Sequence, residues 1–231
     1  MIIVRTPLRI PIAGGGTDLP IWHEKHGGMF ISAAIDKYIY ITLQKSNYNS
    51  GFNLRYSKQE QVEKIEDIEH DILRESFKYF GIEGPISLTS HADIPSNTGL
   101  GSSGSFGVGV IHAIYPQATK EFLAKKSSKI QMDILKWPVG WQDQYVASYG
   151  GFKTYPVGQN GTVKVFNMKL QQEKLLEKLV LFYTGYQRNT TQILASSSVG
   201  GLEKVQDLAW KAKKALEGAN FDKYGHFLNE H

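Results

Sequence analysis

The segment from Pro85 to Tyr115, PISLTSHADIPSNTGLGSSGSFGVGVIHAIY, restricts the fold more than any other part of the chain. Its first ten residues alternate apolar and polar side chains, the pattern of a strand with one buried and one wet face. Its last ten, from Phe106, are apolar enough for a buried helix, which Pro116 stops. A half-exposed strand feeding a buried helix does not suit a doubly wound parallel sheet, whose strands are apolar on both faces.

The turn between strand and helix, PSNTGLGSSGSFG, fits none of the three common ligand-holding loops. Gly99, Gly101 and Gly104 satisfy GxGxxG formally, but the dinucleotide fingerprint needs a fully buried strand before it and an acidic residue after it. The strand here alternates, and Glu121, near the expected offset, lies in a lysine-rich helical segment. The P-loop pattern fails because no lysine follows the glycines. A nucleophile elbow fails because none of Ser102, Ser103 and Ser105 has glycine both two residues before and two after. What remains is an anion site built from unpaired backbone N–H groups and the positive end of a helix, with serine hydroxyls added. A capped helix start holding no ligand is the competing reading, and composition weighs the two about equally.

The rest of the 231 residues reads as a mixed chain. Residues 2 to 13 form a strand interrupted by Pro7 and Pro11, and 28 to 45 read as two strands. IEHDILRESFKYFG puts Ile68, Ile72, Leu73, Phe77 and Phe80 on one helical face, with Gly81 as the C-cap. Residues 118 to 136, 140 to 149 and the run from Leu202 to Leu216 are helical, and a short helix starts at Phe221. Asn160-Gly161 marks a hairpin, and LVLFYT at 179 to 184 a further strand. With 41% apolar residues, such a chain builds one large domain or two smaller ones. Arg5 and Arg9 break the short apolar run at the start, so we expect neither signal peptide nor membrane span, and a cytoplasmic location. Zero cysteines exclude disulfides and thiolate metal sites. The net charge of +4 comes with lysines spread along helical segments, which reads as solvated faces and not as a nucleic-acid stripe.

Two other segments carry chemistry. RTPLRIPIAGGGTDLP places three glycines before Thr17 and Asp18, so that backbone can approach a ligand while a carboxylate takes hydroxyls. Alone, the same residues make a capped turn. WPVGWQDQYVASYGGF puts Asp143 between two glutamines at a helix start, where complementing the dipole is the usual reason for an aspartate. His23 and His26 in HEKH lack a further ligand at metal-site spacing.

Together the three segments resemble the GHMP kinases, named for galactokinase, homoserine kinase, mevalonate kinase and phosphomevalonate kinase. PSNTGLGSSGS resembles that family's PxxxGLGSSAA phosphate loop, and GWQDQY its GxxDQ motif. RIPIAGGGTDL resembles the sugar-kinase segment RVNLIGEHTDY at the arginine, one glycine and the Thr-Asp pair. The order is collinear through nearly the whole chain. RTPLRI, GGGTDLP, AIDKYIY, QDQY followed by YGGF, and FYTG are similar to the heptose 7-phosphate kinase branch.

The resemblance implies an α+β, two-domain fold with a mainly antiparallel sheet and a phosphate-loop helix. It divides the chain into an ATP- and sugar-binding domain, 1–157, and a ferredoxin-like domain, 158–231. The second is expected to be incomplete, because relatives continue into a third glycine-rich motif past LNEH, where this sequence stops.

The implied activity is transfer of a phosphoryl group from ATP, with Mg²⁺, to the anomeric hydroxyl of D-glycero-D-manno-heptose 7-phosphate. A galactokinase-like or fucokinase-like enzyme and a non-catalytic sugar or nucleotide sensor are the alternatives. The implied partner is a phosphorylated sugar, without nucleic acid or membrane, and a homodimer is left open. Asp143 would accept the hydroxyl proton and Arg9 would orient it. Pro95, Gly99, Leu100, Gly101, Ser102, Ser103, Gly104 and Ser105 would hold ATP, with Ser103 on Mg²⁺. Gln131 stands where relatives carry a glutamate that completes the Mg²⁺ site, and an amide is a poorer ligand for a hard cation. Gly16, Thr17 and Asp18 would hold the sugar. Lys37, Arg55 and Arg188 are the candidates for its distal phosphate, with ordinary surface charge as the alternative for each.

Overall fold

The computed structural model describes residues 1–45, 50–185 and 200–230. A seven-stranded sheet is built around one long strand. β1 (Ile2–Ala13) runs along one edge of β2 (Gly28–Lys45), antiparallel over nearly the whole length of both. The other edge of β2 is shared: residues 28–33 pair with β6 (Phe152–Val157), and 39–45 with β5 (Ile86–Ala92). β3 (Phe52–Arg55) joins β5 in parallel and β4 (Gln59–Val62) antiparallel, while the short β7 (Phe166–Asn167) follows β6. Every pairing but β3 with β5 is antiparallel, as expected.

The two strands read at 28 to 45 are one. The chain changes pairing partner around Ile35 to Lys37, and the register against β1 shifts there between Pro7 and Arg9. An irregularity of this kind bends a strand without ending it. β1 pairs with β2 alone, and this edge position tolerates Pro7 and Pro11, which withhold ladder donors.

Eight helices among the described residues cover the sheet. They are α1 (Pro20–His26), α2 (Asp71–Phe80), α3 (Ser102–Ile114), α4 (Lys120–Lys129), α5 (Gln142–Tyr149), α6 (Gln172–Leu176), α7 (Leu202–Glu217) and α8 (Phe221–Glu230). α2 ends as its sequence predicts: Gly81 is left-handed, its N–H reaches the Lys78 carbonyl, and the N–H of Ile82 reaches that of Phe77. The apolar face of α2 packs with Phe106 and Val110 of α3 on Ile41, Leu54 and Leu88 of the sheet. Met29 and Ile31 of β2 meet Ala209, Ala212 and Leu216 of α7, while Phe30 stacks on Tyr155 beside Tyr145 and Val146 of α5. β2 is therefore covered on both faces in its first half.

Two expectations are corrected. The helix read over 118 to 136 ends at Lys129 and continues as one π-helical turn, Ile130–Ile134, closed by the Leu135 N–H on the Ile130 carbonyl. Residues 179 to 184 form no strand. Val180, Leu181, Phe182 and Tyr183 are exposed, since no strand among the described residues lies beside them to satisfy their backbone. No helix among the described residues is long and apolar enough to cross a membrane.

Candidate active site

β1 delivers Arg9 to the glycine-rich turn after β5. The Arg9 N–H donates to the Leu100 carbonyl at 3.0 Å, Ser105 Oγ donates to the Pro7 carbonyl at 2.7 Å, and Thr6 Oγ1 donates to the Ser105 carbonyl at 2.9 Å. The turn and the start of α3 are thus fastened to the sheet. Gly101 caps the helix in a left-handed conformation, and its carbonyl accepts the Ser105 N–H. The N–H groups of Ser102, Ser103 and Gly104 have no acceptor among the described residues. Three free donors at a helix start can receive an anion.

α5 brings Asp143 against the same loop. Arg9 meets Asp143 Oδ1 with Nε at 2.8 Å and Nη2 at 2.6 Å, while its Nη1 donates to the Gly99 carbonyl at 2.6 Å. The approach of α3 to α5 requires Gly104, because a Cβ there would be driven into Cβ and backbone of Asp143. From the other side comes the Gly14–Asp18 loop. Asp18 Oδ2 accepts the Gln142 N–H at 3.0 Å and Oδ1 accepts the Gly16 N–H at 3.2 Å, so this carboxylate ties the loop to the first turn of α5. A Cβ on Gly140 would occupy the place of Asp18 Oδ2. Burial raises the Asp18 pKa above the ordinary carboxylate value, against the N–H of Gln142, which lowers it; the charge of Asp143 raises it further.

These groups line a cavity of about 360 Å³ together with Gly15, Gly16, Gly99, Gly101, Ser102 and Ser103. A second cavity, of about 640 Å³, opens on the far side of the loop and shares Asn97, Ser102, Ser103 and Trp137 with the first. Its wall holds Tyr56, His70 and Phe106. The His70 ring stacks on Phe106 at 4.6 Å and meets Tyr56 edge-on at 4.7 Å. Burial lowers the His70 pKa against the raising effect of Glu60, so the imidazole is held neutral. Nothing in the spacing of Tyr56, His70 and Phe106 signals that they meet; β3, the start of α2 and α3 bring them together.

Most of the residues singled out in the sequence converge here. Arg9, Gly16, Asp18, Gly99, Gly101, Ser102, Ser103 and Asp143 line the first cavity, and Pro95 the second. Others do not face either. Thr17 is fully buried, with its hydroxyl 2.8 Å from the Gly14 carbonyl and 2.9 Å from that of Met29, and it accepts the Met29 N–H. It shapes the loop and has no lone group for a sugar. Ser105 spends its hydroxyl on Pro7, Gly104 faces Asp143, and the Leu100 side chain packs into the core. Lys37 and Arg55 are exposed and line neither cavity. Arg188 lies outside the described residues.

Gln131, where relatives carry a glutamate, lies away from both cavities. It is buried in the π-helical turn, its Nε2 donating to Ser127 Oγ at 3.2 Å and to the Ser103 carbonyl at 3.4 Å, while its Oε1 accepts from Gln144 Nε2 at 3.1 Å. It lines neither cavity. Ser102, Ser103, Asp18 and Asp143, which line the first cavity, carry oxygen donors of the hard type that suits Mg²⁺, an ion that keeps waters and takes few protein ligands.

The sequence profile of the GHMP kinases N terminal domain matches residues 49–151, from the approach to β3 through α5. The D-glycero-alpha-D-manno-heptose 7-phosphate kinase of Campylobacter jejuni is 30% identical, over 99% of this chain and 75% of that protein. The galactokinase of Pyrococcus furiosus is 24% identical, over 89% of this chain and 58% of its own length. The crystal structure of a D-glycero-D-manno-heptose 1-phosphate kinase from Bacteroides thetaiotaomicron shares the fold, with a TM-score of 0.82 at 22% identity, over 99% of this chain and 77% of that one. With the glycine-rich turn, the Arg9–Asp143 pair and the Gly14–Asp18 loop assembled on that fold, the chain belongs to the GHMP kinase family as an ATP-dependent sugar kinase, a phosphotransferase acting on a sugar hydroxyl.

Proposed function

We propose that the protein phosphorylates the anomeric hydroxyl of D-glycero-D-manno-heptose 7-phosphate. The observation that carries this reading is the position of Asp143, between the free N–H groups of α3 and the loop that holds Asp18. The triphosphate lies over Ser102 and Ser103, the base enters the larger cavity beside His70, and the sugar fills the smaller one. Asp143 accepts the proton of the attacking hydroxyl. That oxygen bonds to the γ-phosphorus as the bond to the β,γ-bridging oxygen breaks, and ADP leaves. Such transfers need positioning and charge neutralisation more than covalent chemistry. Arg9 fixes Asp143 and the loop carbonyl in one geometry, and the helix start neutralises phosphate charge. Mg²⁺, when bound, supplies further neutralisation, with Ser103 as its protein ligand and Gln131 supporting the Ser103 carbonyl from behind. We assign nucleotide and sugar binding to residues 1–157 and keep Arg188 as the candidate for the distal phosphate.

One observation favours a neutral sugar as the second reading. Among the described residues, Arg9 is the only cation lining the smaller cavity, and it is already paired. Separate assays of heptose 7-phosphate and galactose at equal ATP decide between them. The proposal expects kcat/KM for the heptose phosphate to exceed that for galactose at least about 100-fold, the discrimination available to a site with groups dedicated to one ligand. A preference for galactose overturns it.

A further inference from the structure

We infer that Gln142 is a specificity-determining residue, its side-chain amide reading a hydroxyl of the acceptor other than the one phosphorylated; this rests on the smaller cavity being the acceptor site. The two glutamines that flank Asp143 are used in opposite ways. Gln144 turns inward, 1% exposed, and donates to Gln131. Gln142 is 8% exposed and lines the cavity, yet its Nε2 has no partner and its Oε1 has no donor among the described residues. Its backbone is fixed, because its N–H is held by Asp18 Oδ2. Its amide lies against the acceptor loop, with Oε1 3.8 Å from the place a Cβ on Gly15 would take. Nε2 is buried without a partner, as is Oε1 of Gln144, whereas Oε1 of Gln142 keeps some exposure and is left as an open acceptor.

The neighbours of Gln142 define what completes it. Asp18 and Asp143 line the same cavity, both accepting hydrogen bonds and, when ionised, both repelling anions. The phosphate of a phosphosugar therefore points away from this corner, and a neutral hydroxyl enters it. A hydroxyl donates to Oε1 or to one carboxylate, a bond that no apolar group can make. A site built to hydrogen-bond a hydroxyl rejects the analogue that lacks it far more strongly than an apolar pocket rejects an extra group.

The test uses Gln142→Met, close in volume and without polar atoms, with Gln142→Asn as the milder change should the first fail to fold. Both are assayed on the preferred acceptor and on its monodeoxy analogues. The acceptor KM should rise at least about 10-fold in Gln142→Met, with the KM for ATP unchanged, since the lost contact is to the acceptor alone. For one deoxy analogue, wild type and variant should then be equally poor, which a merely structural role does not produce. The proposal is overturned if the acceptor KM does not move, or if the ratio of wild type to variant is the same for every analogue. Turnover of galactose but not of heptose 7-phosphate removes the substrate assignment alone, because the same series is then run on deoxygalactoses. Absence of turnover on any sugar removes both.

Discussion

A single guanidinium, that of Arg9, grips Asp143 Oδ1 with two nitrogens, at 2.8 and 2.6 Å, and uses its third on the Gly99 carbonyl at 2.6 Å. Asp143 and the glycine-rich turn are therefore positioned by one side chain, itself delivered by an edge strand. Exposed ion pairs contribute little, but this one is largely buried and shared with a backbone carbonyl.

Arg9→Lys tests that arrangement. A lysine ammonium is a point charge that cannot reproduce the planar fork. We expect kcat to fall about 10²- to 10³-fold, as when one preorganised donor is removed from a catalytic site. Stability should drop by about 1–3 kcal/mol, the loss from leaving a buried polar group unpaired. Steady-state kinetics and urea unfolding check both, and a variant within about threefold of wild-type kcat contradicts the assignment.

Gly104→Ala probes the contact between α3 and α5. The added methyl meets Asp143 Cβ, so the helices must separate. Overpacking of this kind costs about 1–3 kcal/mol. Because Asp143 itself is moved, kcat should fall more than the KM for ATP rises. Thermal melting together with kinetics checks this, and an unshifted melting temperature contradicts the packing.

Asp18 gives a pH signature. Its folded pKa is raised by burial, so it contributes stability that is fully present below the unfolded carboxylate value, about 4, and is lost as pH rises through the folded pKa. Asp18→Asn removes that titration. Across the window above about pH 4, the advantage of wild type over the variant should shrink with pH, by at most about 1.4 kcal/mol per unit, until Asp18 is ionised. Urea unfolding in half-unit steps measures it, and a constant difference from pH 4 to 8 contradicts the shift.

His70→Ala tests the placement of the base. It removes the ring stacked on Phe106 from the wall of the larger cavity. If the base packs there, losing a stacking partner worth about 1–3 kcal/mol should raise the KM for ATP about 10-fold or more and leave the acceptor KM unchanged. An acceptor effect with ATP unaffected places the base elsewhere.

The line between what sequence reveals and what it hides follows the physics of each residue. The turns at Gly99 and Gly101 are legible because glycine spacing carries a local requirement, whereas Asp143 stands out only through the family resemblance. The resemblance points to Thr17 and Ser105 as ligand contacts, but sequence cannot show that their hydroxyls turn to the Met29 and Pro7 carbonyls. Gln131 was recognised as a departure, but only the π-helical turn shows it supporting Ser103 from behind. The Tyr56, His70 and Phe106 wall was invisible, being assembled from three elements. The run at 179 to 184 has a strand's composition, and a strand forms only where a neighbour completes its hydrogen bonds.

The central claim, that Asp143 takes the proton of a sugar hydroxyl in transfer from ATP, is tested most directly by Asp143→Asn assayed with ATP, Mg²⁺ and heptose 7-phosphate. The account predicts a fall in kcat of at least about 10³-fold, within the range set by general-base catalysis and lost preorganisation, with nucleotide affinity by calorimetry unchanged within about threefold. Turnover within about 10-fold of wild type contradicts it.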